Sequence, residues 1–384
     1  MNIAIATGSA GAAGQTAAAP LRVWSIVTSL TTGGAESLIA SLNPCFAEGN
    51  VEHTVLALCD AATVGNSAAT ELRMAGKIEL EGGKFVSLGL GRWRDPVSGA
   101  LALNRLLRHQ MPDVIHAHTA RAIPMISGSR FGGPVVLTHH NSRLSFPRIF
   151  FRYIDTVVDS YVAISKETEE IYKSQCRKPA RRISNGVSSA FFAQTERRAP
   201  HKPCRIMSVG AISDQKNYDL LLATAGELQS RASEAPIAVF NIAGAGDGLE
   251  AYRQKVRDRG LEGIVNFLGE RSDVPQLLAD ADLFLNTSHY EGQSVAMLEA
   301  MAMALPVVAT DVPGNRDLVA HGQNGLLAVH NDPGQLADAV LRLIEQPDTY
   351  AALSSGAHAA GMLFSVEKTA TSHLELYRSL ASKG

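Results

Sequence analysis

From residue 21 onward, short runs of Val, Ile and Leu alternate with longer stretches whose apolar residues recur every three to four positions. Short apolar runs suit strands buried on both faces, and the longer period suits helices that cover them. The chain therefore reads as βαβ units around parallel sheets. The pattern predicts strands at 22–28, 53–58, 85–88, 113–117, 134–138 and 156–164, then at 205–209, 238–243, 264–268, 281–286, 306–309 and 326–329. Between the two sets, residues 194–203 read QTERRAPHKP, charged and proline-interrupted with no apolar face, as a linker would be. An α/β architecture follows, with two Rossmann-like domains, 21–203 including the linker and 204–363, facing a central cleft. A final helix is expected over 366–380 behind Ser365 as N-cap, in a segment, 364–384, that can pack on either domain or cross back to the first.

Composition narrows the class. At 384 residues, 46% hydrophobic and 19% charged, the chain is that of a folded protein with more than one core. Its 35 basic and 37 acidic residues leave no global field to draw in nucleic acid. Cys45, Cys59, Cys176 and Cys204 show neither CxxC spacing nor histidine partners at metal-ligand intervals, so a reducing cytoplasm suits them. Residues 1–20 are rich in Ala and Gly and lack a basic start, which reads as a flexible tail and not a signal peptide. No stretch approaches the roughly 20 apolar residues that span a bilayer. Peripheral attachment to the inner face of a membrane stays open.

Two segments carry candidate chemistry. Glu291 and Glu299 are separated by seven residues just after an expected strand. If a helix begins near Gln293, its free N–H groups suit a diphosphate, Glu291 lies ahead of it for sugar hydroxyls, and Glu299 lies about two turns in for a ribose. The alternative is a dipole-facing first-turn glutamate followed by a solvated one. Lys216 follows a strand and the Gly210 turn at a helix start, where it serves either as a phosphate-facing point charge or as a solvated lysine. The stretch 143–153, RLSFPRIFFRY, mixes arginines with aromatics; it fits a patch for a lipid-linked acceptor at a membrane surface, or a helix with aromatics inward and arginines solvated.

In order along the chain stand TTGGAE at 31–36, DVIHAH at 113–118, VLTHHN at 136–141, ISNGV at 183–187, FLG at 267–269, Ala281-Asp282, the Glu291 to Glu299 segment and GQNGL at 322–326. This order resembles family 4 of the retaining glycosyltransferases, of GT-B architecture, over nearly the whole chain after residue 21. The resemblance implies transfer of a sugar from a nucleotide-sugar donor to a glycan, lipid-linked or small-molecule acceptor, as in bacterial-type polysaccharide or glycoconjugate synthesis. It implies that His140 contacts the donor sugar, with His139 its close competitor, and that Lys216 and Glu291 complete the catalytic set. Gly33, Gly34, Gly210, Gly269, Gly292, Gln293, Ser294, Val295 and Glu299 would bind donor. His116 and His118 are expected to be structural residues at a strand end. Where the family frequently has arginine after Gly210, this chain has Ala211, so leaving-group charge falls more heavily to Lys216 and the helix N-terminus, or to an arginine from elsewhere. No DxD-type site stands in a suitable loop, so no metal and no cofactor are expected. Rival readings are a GT-B sugar-nucleotide epimerase and a non-catalytic GT-B partner protein; a dinucleotide oxidoreductase is disfavoured because neither glycine turn completes GxGxxG with its acidic residue.

Overall fold

Along the first strand, Leu21–Val27 (β1), Trp24 and Ile26 enter one apolar layer while Val23 and Val27 enter the layer on the opposite side. Such two-sided burial is what an uninterrupted apolar run dictates in a parallel sheet. In this computed structural model the described residues are 19–31, 33–140, 147–192, 197, 199–233 and 235–382. The strands Val51–Ala57 (β2), Lys84–Ser87 (β3), Val114–Ala117 (β4), Val135–Thr138 (β5), Ser160–Ala163 (β6) and Ala180–Arg182 (β7) join β1 in the order β3-β2-β1-β4-β5-β6-β7. A second sheet contains Cys204–Val209 (β8), Ala238–Ala243 (β9), Val265–Gly269 (β10), Leu283–Asn286 (β11), Val307–Thr310 (β12) and Gly325–Ala328 (β13), in the order β10-β9-β8-β11-β12-β13. Every pairing in both sheets is parallel. Each order reverses beside its first strand, which opens a crevice at the carboxyl ends of β1 and β4 and another at those of β8 and β11.

Three details differ from expectation. The strand expected over 156–164 is shorter, because Val157 N–H bonds the Ile154 carbonyl and closes a turn before Ser160. The strand β7 has no counterpart in the pattern: it lies at a sheet edge with Arg181 and Arg182 exposed, so no apolar run marks it. The chain also meets the second domain earlier than the 194–203 stretch. Val187 packs into the second core, and Phe191 and Phe192 pack against it. Arg197 donates to the carbonyls of Met303 and Leu278, each at 3.1 Å, and so belongs to the second domain's surface. Most of residues 1–20, and residues 194–196 and 198 of the expected linker, lie outside the described residues.

The terminal helix Val366–Ala381 begins at Ser365, whose Oγ accepts from Lys368 N–H at 3.3 Å. Its Val366, Ala370, Leu374 and Tyr377 pack with Val23, Val114, Val136 and Val162, so it returns to the first domain. Each fully buried aliphatic side chain of this kind contributes about 2 kcal/mol. Val187 bonds both sides of the crossing, donating to Phe364 O at 2.8 Å and accepting from Val366 N at 3.0 Å. Among the described residues no helix is long and apolar enough to cross a membrane.

Candidate functional site

The two crevices face each other. Gly34 opens the helix Gly34–Ser41 after β1, and a Cβ there would lie 3.3 Å from the Val295 side chain of the second domain. Gly292, after β11, is closer still: its Cβ would lie 2.6 Å from the His140 carbonyl oxygen and 2.9 Å from Ile164 Cδ1. Only glycine permits that approach. Beside it, Asn185 N–H donates to Gln293 Oε1 at 2.6 Å, and Asn185 Nδ2 donates to the Gln293 carbonyl at 3.0 Å. The sequence marks Asn185 only as part of the segment before the linker, whereas here it clasps the two domains.

Lys216 and Glu291 come together from the ends of β8 and β11. Lys216 Nζ lies 2.5 Å from Glu291 Oε1, with side-chain exposures of 18% and 6%. Ser288 Oγ donates to the same oxygen at 2.7 Å. Gly210 makes room for the lysine stem, since a Cβ there would lie 2.8 Å from Lys216 Cε. Gly244 abuts the Gly210 carbonyl, and its own N–H donates to Gly269 O at 2.8 Å. Three adjacent strand ends, β8, β9 and β10, thus present glycine backbone. Gly269 joins the site through this line and not through contact with Lys216. The run Gly244-Ala-Gly246-Asp-Gly248 is the sequence signal for it that strand-by-strand reading passes over.

The helix after Glu291 is Val295–Ala302, two residues beyond the expected start. Ser294 is its N-cap, accepting Met297 N–H at 3.3 Å, and the Gln293 side chain is committed to Asn185, so neither residue offers a free side chain in this arrangement. Glu299 is half-buried, and burial lifts its carboxyl to about 8. Glu36, in the first turn behind Gly33 and Gly34, is raised to about 7 by burial, and a Cβ on Gly33 would collide with its carboxylate. Ala211 is exposed beside Gly210.

The histidines divide differently from expectation. His116 is structural: its Nδ1 meets Tyr377 Oη of the terminal helix at 2.6 Å and its Nε2 meets Thr138 Oγ1 at 2.7 Å. His118 is not a mere strand end. Its Nδ1 lies 2.9 Å from His140 Nε2, the rings are stacked, and its own Nε2 is buried with no hydrogen-bond partner among the described residues. Burial, then neighbouring histidines, hold His118 well below the ordinary imidazole range and His140 at about 3. Both are neutral near pH 7, so one of the two facing nitrogens donates and the other accepts. His139 is buried, and its backbone N–H donates to Tyr172 Oη at 3.1 Å. Of the 143–153 stretch, residues 143–146 lie outside the described residues, as does Asn141; Arg148–Phe150 and Phe151–Ile154 form short helical turns.

Residues 32–191 match the family model described as Glycosyltransferase Family 4, and residues 203–346 match Glycosyl transferases group 1. A D-inositol 3-phosphate glycosyltransferase of Thermobispora bispora is 29% identical over 320 residues, 73% of this chain and 74% of that protein. The UDP-Gal:alpha-D-GlcNAc-diphosphoundecaprenol alpha-1,3-galactosyltransferase of Escherichia coli is 25% identical over 271 residues, 64% and 70% of the two chains. Among solved structures, Anabaena HepE in complex with UDP and glucose aligns with a TM-score of 0.77 at 21% identity, covering 94% of this chain and 100% of that one. A mutant of S. aureus TarM, in complex with Fondaparinux, alpha-GlcNAc-glycerol and UDP, aligns with a TM-score of 0.76 at 15% identity, covering 93% and 99%. Two family models in tandem, one for each sheet, place this chain among the group 1, family 4 glycosyltransferases, and its fold is GT-B.

Proposed function

We propose that the protein is a retaining, metal-independent glycosyltransferase that takes a hexosyl or related unit from a nucleoside-diphosphate sugar. The observation that carries this reading is the convergence, at two facing crevices, of the Lys216–Glu291 pair with Gly292 and His140. The donor diphosphate lies along the Gly210–Gly244–Gly269 backbone and the N-terminus of Val295–Ala302, where Lys216 and the helix dipole take the charge that a divalent ion supplies elsewhere. Glu299 holds the ribose, and Glu291 holds the sugar hydroxyls. Glu291 is engaged by a lysine and a serine, a setting that favours binding over nucleophilic attack. Retention then follows a front-face course, in which the departing phosphate takes the acceptor hydroxyl proton while His140 and the Gly33–Gly34 loop flank the reacting carbon.

The acceptor is a glycan, a lipid-linked sugar or a small molecule that enters from the first domain, and the reaction runs at or near the inner face of a membrane in polysaccharide or glycoconjugate synthesis. UDP-sugars are the first donors to test, since UDP occupies HepE. A panel of nucleotide sugars is incubated with a chelator and the product anomer is read by NMR. Transfer with retained anomeric configuration and undiminished rate is expected. Epimerisation of the donor, inversion, or rescue of a chelated enzyme by magnesium or manganese would each overturn the corresponding part.

A further inference from the structure

Charge is unevenly distributed along the chain. Residues 92–153 contain nine arginines, two aspartates and no lysine or glutamate, a net charge of +7 in a protein whose whole charge is −2. One of the nine, Arg143, lies outside the described residues. Arg92, Arg105, Arg108, Arg121, Arg148 and Arg152 are all exposed, and among the described residues none of them forms an ion pair. By contrast Arg231, Arg253, Arg271 and Arg316 of the second domain each face a carboxylate.

The arginines share their layer with exposed apolar side chains. The helix Pro96–Leu107 buries Leu103 and Leu107 against the first sheet, while Val97 and Leu101, one turn apart, are 68% and 56% exposed. Trp93, in the turn before it, is 91% exposed. On the same face of the sheet, Phe151 and Ile154 are buried and Ile149, Phe150 and Tyr153 stand out, beside Arg148 and Arg152. Between these ridges runs Ile123–Ser127, packed into the same core and flanked by the exposed Arg121.

We infer that the outer face of this helical layer docks on an anionic lipid bilayer. Each arginine near such a surface gains about 1 kcal/mol. The aromatic and aliphatic tips enter the headgroup boundary, where tryptophan is favoured and where a nucleic acid backbone would offer them nothing. Several weak contributions give reversible, salt-sensitive attachment, with the cleft left open at the carboxyl edge of the same sheet.

The chain carries its own reporter, because of its two tryptophans Trp24 is 2% exposed and Trp93 is 91% exposed. The full chain is mixed with phosphatidylcholine vesicles, with vesicles also containing phosphatidylglycerol, and with single-stranded DNA, and both sedimentation and tryptophan emission are recorded. A blue shift and co-sedimentation at least tenfold stronger with phosphatidylglycerol are expected. Val97→Glu/Phe150→Glu should weaken them at least tenfold without changing the melting temperature or the affinity for nucleoside diphosphate. Arg148→Glu/Arg152→Glu should do the same. Absence of binding to the anionic vesicles, equal binding to neutral ones, undiminished binding by both variants, or DNA binding as tight as vesicle binding would each overturn the inference. This surface rests on the membrane location proposed above, but none of these readouts depends on glycosyl transfer, so failure to bind vesicles removes the location and leaves the proposed chemistry to its own test.

Discussion

Gly292 and the His140 carbonyl oxygen meet across the domain boundary with no room for a side chain, a Cβ at residue 292 falling 2.6 Å from that oxygen. The neighbouring Ile164 Cδ1, at 2.9 Å, is the end of a flexible side chain and can yield, but the backbone cannot. Gly292→Ala should therefore hold the two crevices apart while each domain keeps its own core. A misplacement of about 1 Å costs on the order of 100-fold in turnover. Steady-state kinetics should show kcat reduced by about that factor, with nucleoside diphosphate affinity changed less than about threefold because the nucleotide is held by one domain. Equal loss in both would mean that the first domain also holds the nucleotide.

The Lys216–Glu291 pair predicts a stability effect that its place in the site would not by itself suggest. With the carboxylate 6% exposed and the ammonium 18% exposed, removing the cation leaves a buried charge with hydroxyl and amide donors alone. Breaking such a pair costs about 3–5 kcal/mol, whereas replacing both members is often neutral. Urea unfolding at pH 7 should find Lys216→Met destabilised by about that amount and Lys216→Met/Glu291→Gln largely restored. Transfer activity should stay lost in the double variant. A double variant no more stable than the single one would show that the penalty lies in packing of the lysine stem and not in charge.

How much of this is legible in the sequence depends on whether the signal is local. Buried parallel strands announce themselves as short Val, Ile and Leu runs, so twelve of the thirteen strands are expected from the pattern; the exception, Ala180–Arg182, is an exposed edge with no such run. The glycines at 33, 34, 210 and 292 stand out because each follows an expected strand, but only the last meets backbone of the other domain, a Cβ there falling 2.6 Å from the His140 carbonyl oxygen. His118 is different: its meeting with His140 depends on the pairing of β4 with β5, which brings together residues 22 positions apart. Asn185 is likewise invisible as a clasp, since its partner Gln293 lies 108 positions away in the other domain. Within the charged, proline-bearing stretch between the two family matches, the contact of Arg197 with the second domain's surface is invisible too, since its carbonyl partners lie 81 and 106 positions away.

The buried imidazoles of the first domain set its acid sensitivity. His53 and His140 lie at about 3 and His373 at about 4, with burial the leading cause in each, and His116 and His118 are also well below the ordinary value near 6.5. The folded state therefore excludes protons that the unfolded chain accepts below about pH 6.5, and stability falls as pH drops from there towards 4. Each group contributes up to about 1.4 kcal/mol per pH unit in that window. Thermal melts from pH 7.5 to 4.5 should show the decline, and His373→Gln should flatten it. Because His140 stays neutral, kcat should show no break near pH 6.5 from that group. A stability flat from pH 7 to 4.5 would contradict the burial of these rings.

Glu299 gives the opposite slope. Burial lifts its carboxyl to about 8, whereas in the unfolded chain it ionises near the ordinary value of 4.5, so between those limits the folded state keeps a proton that the unfolded state has released. Stability from this group is complete below about pH 4.5 and lost as pH rises towards 8. Glu299→Gln keeps the shape and the neutral hydrogen-bonding capacity, so its melting temperature should exceed the parent's by a few degrees at pH 8 and match it near pH 5, on the scale of about 2–4 °C per kcal/mol for domains of this size. The same variant separates shape from charge in the proposed ribose contact. If the neutral carboxyl is what meets the ribose hydroxyls, calorimetric titration at pH 6.5 should find nucleoside diphosphate affinity within about threefold of the parent for Glu299→Gln and at least about tenfold weaker for Glu299→Ala, the loss expected for a buried polar contact of about 1–3 kcal/mol. Nucleotide binding should also move the carboxyl towards ionisation only if the ribose prefers the charged form, which proton uptake or release measured in two buffers of different ionisation enthalpy would reveal. No change of affinity in Glu299→Ala would remove the ribose contact from the site and leave Glu299 as a half-buried acid of the helix Val295–Ala302 alone.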